Sequence, residues 1–167
     1  MALIFIVEKS CGQFIIPGEG LMDVKIGSDW DEIEWELGFK GKKIRKSDVS
    51  SSLLHLSKTA NVEFDFVVSY RHLMWLPVSE LYFKNDRVCM IRIDSSPDYY
   101  KMLCVDIGTV EGLNFWDKTE RVKEIYGSRK FSKHDGKSFV AFSNIGLGVE
   151  LSEDEVRSMV IFQPQIE

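Results

Sequence analysis

The run Lys133-His134-Asp135-Gly136-Lys137-Ser138 sets a histidine, an aspartate and two lysines side by side. A general base flanked by cations is what phosphodiester hydrolysis asks for, one group to move a proton and others to steady the developing charge. Asp-Gly between two strand-like runs is also an ordinary turn signal, and a turn is the expectation here. An enzyme built on this chain would use Lys133, His134, Asp135 and Lys137. The remaining histidines, His55 and His72, stand far from any HxH, HExxH or Cys/His spacing that would hold a metal. There is no GxSxG elbow, no P-loop and no GxGxxG following a strand. Gly146-Leu147-Gly148 lacks a following helix signal and reads as a turn. The chain is expected to be non-enzymatic, with no cofactor and no metal.

Residues suited to binding are more plentiful. FKGKKIRK, Phe39–Lys46, carries five Lys/Arg in eight residues. These could meet phosphates with Phe39 stacked on a base, or form a solvated loop whose cations ease the dipole of the preceding helix. A mobile or partner-facing loop is the expectation, with no direct nucleic-acid contact. In the helix pattern before it, Trp30, Ile33 and Leu37 share one side. Trp35 lies about 140° from Trp30 at 100° per residue, flanked by Asp31 and Glu32. A tryptophan set among carboxylates away from the core stripe suits a protein contact; alternatively, the segment that follows folds over and buries it. RHLMWLP (Arg71–Pro77) brings Met74 and Trp75 to a loop, and the linking stretch Asp94–Lys101 combines Asp98 with Tyr99 and Tyr100. Either stretch can offer contact area or be pinned to the core by its rings.

The elements that must position these residues come in two sets. VKIGSDWDEIEWELG (Val24–Gly38) and LNFWDKTERVKEIYG (Leu113–Gly127) align without gaps, their terminal glycines 89 residues apart. Ser28 and Asp117 take the N-cap place, Asp31 and Glu120 the capping-box place three residues on, and Gly38 and Gly127 the left-handed stop. Downstream, ELYFKNDRVCMIRI and GVELSEDEVRSMVI align 68 residues apart as hairpins turning at Asn85-Asp86 and Glu153-Asp154. Between helix and hairpin, FDFVVSY and KSFVAFS read as matching strands 73 residues apart. The spacing predicts an α+β fold in one domain, 1–167, with two pseudo-repeats at 14–95 and 105–165. Each is a short helix followed by an antiparallel β-meander, with the helices packed on one face of the sheet. The first has an inserted loop at 39–62, and Leu3–Ile16 reads as a further hairpin before it.

Composition bounds the setting. The 167 residues carry 21 Lys+Arg against 26 Asp+Glu, a net charge of −5 that suits a basic protein partner better than nucleic acid. Cys11, Cys89 and Cys104 form no CxxC pair or metal spacing, which fits a reducing compartment. MALIFIVEKS lacks a basic n-region and a full apolar core, so a secretory signal is not expected, nor is any membrane span. The cytoplasm is the expected location.

The phrase carried by Ile26, Gly27, Ser28, Ile33, Leu37, Gly38, Leu81, Phe83, Asp86, Val88 and Ile91, and again by Phe115, Asp117, Val122, Gly127, Val149, Leu151, Asp154, Val156 and Met159, resembles known repeat units. It is similar to those of β-lactamase-inhibitor-like folds and of small outer-membrane assembly lipoproteins. It also resembles immunity proteins of bacterial polymorphic and contact-dependent growth inhibition toxin systems. The missing lipidation cysteine and signal disfavour the lipoprotein and secreted-inhibitor readings; an immunity protein needs neither. The resemblance implies a protein that binds a cognate toxin domain, such as a tRNA- or DNA-directed nuclease, and covers its active site. The expected contact residues are Asp31, Glu32, Trp35, Met74, Trp75, Asp98 and Tyr99. The alternative is a cytoplasmic protein-binding or assembly module of the same duplicated fold with no toxin partner.

Overall fold

In the strands of this chain both alternating faces are largely apolar, so each strand needs cover on both sides. That requirement sets the layering in the computed structural model, which describes residues 13–21, 23–38, 40–71, 78–95 and 107–165. In chain order the elements are β1 (Gln13–Ile16), β2 (Gly20–Leu21), β3 (Val24–Lys25), α1 (Trp30–Leu37), β4 (Lys42–Arg45), a 3-10 turn (Lys46–Asp48) and α2 (Ser51–Thr59). There follow β5 (Phe66–Ser69), β6 (Val78–Lys84), β7 (Arg87–Asp94), β8 (Ile107–Thr109) and α3 (Thr119–Tyr126). The last four strands are β9 (Ser132–His134), β10 (Lys137–Phe142), β11 (Leu147–Ser152) and β12 (Glu155–Phe162).

An antiparallel sheet runs β4-β5-β6-β7-β12-β11-β10-β9. Its two four-strand meanders meet at β7 and β12, with Arg92 opposite Val160 and Asp94 opposite Ser158. The hairpins β6–β7 and β11–β12 turn on Asn85-Asp86 and Glu153-Asp154, all four with φ between 52° and 66°. Such paired left-handed residues match the twist of the flanking strands. Each hairpin also shifts register, at Tyr82/Phe83 in the first and Glu150/Leu151 in the second, the signature of a β-bulge. A smaller sheet, β3-β2-β1-β8, includes a parallel pairing of β1 with β8.

One face of the large sheet presents Phe66, Val68, Leu81, Phe83, Ile91, Ile93, Val149, Met159 and Ile161, all buried. Ile33 of α1, Val122 of α3 and the small sheet's Ile15, Leu21, Val24 and Ile107 close over it. The opposite face carries Val67, Tyr82, Met90, Phe139, Val160 and Phe162 under Leu56 and Ala60, with Val49 and Phe64 beside them.

Several expectations change here. Residues 39–62, read as an inserted loop, carry β4, the 3-10 turn and α2, and α2 packs on the face opposite α1 and α3. The second sheet face demands that cover: Leu53, Leu54, Leu56 and Ala60 give this Ser-rich segment an apolar side. The basic run is likewise no free loop. Lys42–Arg45 pairs with β5 as an edge strand, and the Lys43 ammonium lies 3.7 Å from the centre of the Phe66 ring, where a cation is attracted by the ring's negative face.

The helices start one residue later than the cap pattern indicates. Asp29 and Lys118 hold the N-cap places with no side-chain cap bond. Both are instead tied to the neighbouring hairpin by bridges, Asp29 to Arg87 and Lys118 to Glu155, which keep the backbone extended through them. Gly38 takes the left-handed stop at φ 66°, ψ 12°, whereas Gly127 ends α3 at φ 84°, ψ 166°, a region open essentially to glycine alone. Apart from β1, the N-terminal hairpin lies outside the described residues.

Candidate functional site

α1 is WDEIEWEL. Trp30 and Ile33 fasten it: Ile33 is fully buried, and the Trp30 ring packs 5.3 Å from Phe66 and 5.9 Å from Phe83, centre to centre. The other side faces solvent, and there Trp35 is 87% exposed. The inserted segment therefore does not cover it, because that segment packs across the sheet. Asp31 and Glu32 are exposed on the same helix and border a recess with Asp29 and Asp86. Glu34 and Trp35 border a second recess with Gly38 and Lys40.

Electrostatics sets this helix apart. Asp31 and Glu32 in the first turn suit the positive end of the helix dipole, but Glu34 carries negative charge toward the C-terminal end, with no base in the last turn. Carboxylates there oppose the dipole at a few tenths to about 1 kcal/mol each. α3, TERVKEIY, has Lys123 in its last turn and pairs Arg121 with Glu124 at 2.8 Å. Helix stability thus explains the charges of α3 and those of Asp31 and Glu32 in α1, and leaves Glu34 without such a use. Asp31, Glu32 and Trp35 are brought together on α1; Met74, Trp75, Asp98 and Tyr99 lie outside the described residues.

The KHDGKS run forms the β9–β10 turn, with φ 49° at Asp135 and 75° at Gly136. Its chemistry disperses. His134 stacks on His55 of α2, ring centres 4.6 Å apart and planes at 6°, while Lys137 Nζ donates to Glu150 Oε1 at 2.6 Å. His55 Nε2 and Ser132 Oγ are 3.1 Å apart. Burial, then the neighbouring His134 and Lys58, lower the His55 pKa below its usual value, against a smaller pull from Asp135. Cys89 is half-buried and bonded to the carbonyls of Glu63 and Tyr82; burial pushes its thiol up to about 12, which leaves it unreactive. Among the described residues no group of His, Cys, Asp and Glu could hold a metal ion, and no helix is long and apolar enough to cross a membrane.

A second feature escaped the sequence reading. Glu80, Arg92 and Glu150, on three different strands, are 1%, 4% and 2% exposed, and they share the face that α2 covers. The Arg92 guanidinium donates to Glu80 Oε2 at 3.1 Å, Glu150 Oε2 at 3.2 Å and Ser158 Oγ at 2.8 Å, and lies 2.9 Å from Asp94 Oδ1. Arg71 pairs with Glu80 and with Asp94, and Ser79 Oγ donates to Glu80 Oε2. Burial works against the Arg92 charge, but Asp94, Glu80 and Glu150 outweigh it and hold its pKa above the ordinary arginine value. Three cations (Arg71, Arg92 and Lys137) face three carboxylates, the compensation that buried charge requires. The signal was legible as charges at facing positions inside apolar strands, where alternation places them on one side of the sheet. Comparison with protein-family models, with curated proteins and with solved structures gives no match.

Proposed function

We propose that the chain is a non-enzymatic, cytoplasmic immunity protein that binds a cognate bacterial toxin domain, a nuclease, and covers its basic active site. The exposed Trp35 among Asp31, Glu32 and Glu34 carries this reading. An aromatic anchor supplies contact area, and carboxylates in the place of substrate phosphates give attraction and speed encounter. The net charge of −5 favours the same kind of partner.

The scaffold is proposed to be two pseudo-repeats. Support comes from matched backbone bonds: Gly27 donates to the Val88 carbonyl as Trp116 does to that of Val156, and Val88 donates to Ser28 as Val156 does to Asp117. Helix positions in these pairs are 89 residues apart and hairpin positions 68, as the sequence alignment has them. For the strands β5 and β10 the offset is 72 rather than 73, since Val67 faces Tyr82 as Phe139 faces Glu150.

The test is co-expression with the C-terminal domain of the toxin gene preceding this one, followed by pull-down and rescue of growth. Rescue that is lost in Trp35→Ala and in Asp31→Lys/Glu32→Lys supports the reading. Absence of both complex and rescue ends it, and capture of a non-toxic partner moves the chain to the class of assembly modules.

A further inference from the structure

The large sheet ends at β4, and among the described residues no strand pairs with its outer side. We propose that this edge takes up an extended acidic segment of a partner protein as a further strand, with carboxylates at alternate positions of that segment.

Two independent observations meet at β4. The first is its backbone. In an antiparallel pair, alternate residues turn N–H and C=O away from the neighbouring strand, so β4 offers such groups outward. Its pairing with β5 runs from Lys42 opposite Ser69 to Arg45 opposite Phe66 without a register shift, and no proline interrupts it. Bulges and prolines blunt an edge against any strand, whereas charge blunts it only against a strand of like sign. β4 relies on charge, which leaves the template open to an acidic strand.

The second observation is that this charge is uncompensated. Lys40, Lys42, Lys43, Arg45 and Lys46 fall within seven residues, all exposed, in a chain of net charge −5. Arg71, Arg87, Arg92, Lys118 and Lys137 pair with carboxylates elsewhere, but among the described residues none of the five does. The nearest acids are already engaged: Glu63, within the field of Lys46, is held by Lys84, and Asp48 accepts from Ser47.

The register assigns places to the partner's side chains. Lys43 and Arg45 stand opposite Val68 and Phe66, on the side of the sheet that α1 covers, and Ile44 stands half-buried opposite Val67 on the α2 side. Directly facing side chains on neighbouring strands lie about 5 Å apart. The best-fitting strand therefore sets Asp or Glu beside Lys43 and Arg45, and an apolar residue between them beside Ile44. A nucleic acid would meet the cations but leave the outward backbone groups and Ile44 unused. The Phe66 and Phe64 rings beneath Lys43 and Lys46 are 8% and 3% exposed, too covered for a base to stack on them.

The test uses the full chain and a labelled heptapeptide alternating Glu with Val, followed by fluorescence anisotropy in dilute buffer and by amide hydrogen exchange. Saturable binding with Kd below about 100 μM is expected, together with slower exchange at alternate amides of residues 42–45. A peptide of the same residues in two blocks, Glu then Val, should bind about tenfold more weakly or worse. The alternating peptide should lose as much against Lys43→Glu/Arg45→Glu; because Lys43 also packs on Phe66, Arg45→Glu decides alone if the double variant fails to fold. Absence of binding, equal affinity of the block peptide or of the variant, or binding without slowed exchange in β4 overturns the proposal. Tighter binding of an oligothymidylate of matched charge overturns it as well, and assigns the strip to nucleic acid. Toxin capture through α1 is a separate measurement, so either reading can fail without the other.

Discussion

α1 and α3 lie over one face of the large sheet, and α2 lies alone over the other. Positions 68 residues apart show how differently the two faces are written. Under α1 and α3, apolar answers apolar: Leu81 and Val149, Phe83 and Leu151, Ile91 and Met159, Ile93 and Ile161. Under α2 the correspondence inverts. Tyr82 and Met90 answer to Glu150 and Ser158, while Arg92 and Asp94 answer to Val160 and Phe162. Because Arg92 pairs with Val160 and Asp94 with Ser158 at the junction of the meanders, this inversion gathers the polar groups at one end of the face and the apolar ones at the other. α2 covers the apolar end. Hydrophobic burial is non-directional and tolerates such exchanges, whereas a charge network has members that depend on one another. The first face is apolar throughout, and the second is where the two meanders differ.

The sharpest way to break this contrast is Arg92→Ala. It takes the shared cation from Glu80, Glu150 and Asp94, leaving only Arg71 and Lys137 against three carboxylates, and should cost about 3–5 kcal/mol, read from the denaturant midpoint; Val160→Ala, on the same rung, should cost clearly less. On the first face, Ile33→Ala should cost roughly 2–4 kcal/mol, with Val122→Ala below it because fewer methyl groups are lost. A loss at Ile33 much smaller than this would mean that α1 is held by Trp30 alone. Trp35→Ala should move stability by no more than about 0.5 kcal/mol. The same change should weaken toxin capture by about 2 kcal/mol, roughly thirtyfold, measured by calorimetry.

The smallest effect expected is the dependence on pH. The folded state disfavours protonated His55, so the unfolded chain binds the extra proton more readily. Stability is therefore level above the usual histidine pKa of 6.5 and falls as pH drops below it toward the lowered folded value. Thermal melts between pH 7.5 and 5.5 should show this decline, and His55→Phe, which keeps a ring against His134, should flatten it.

These outcomes also mark what could be read beforehand. The hairpins were legible because Asn85-Asp86 and Glu153-Asp154 interrupt alternating runs, and the helices because Ile33 and Val122 recur against terminal glycines. The strand offset differs by one residue because Val67 and Phe66 are both buried, so alternation gives no polarity to fix which faces which. α2 was hidden by its serines and by adjacent leucines, which blur a helical period over nine residues. The polar row left its charges legible at Glu80, Arg92 and Glu150, but that this face is buried depended on where α2 packs. On the α1 surface, Trp35 was separable from the core by helical geometry alone; whether it stayed exposed depended on where α2 packs, and no local pattern encodes that.

The two ends of the large sheet are closed by charge. β4 presents Lys42, Lys43 and Arg45, and β9 presents Lys133. An open edge is a template for a further strand, and two copies of this chain would have to bring like charges together to use it, β4 against β4 or β4 against β9. That repulsion is screened over about 8 Å at physiological ionic strength and over about 3 Å in molar salt. Concentrated stocks should therefore keep best in dilute buffer, and fibril growth, if it occurs, should begin when salt is raised.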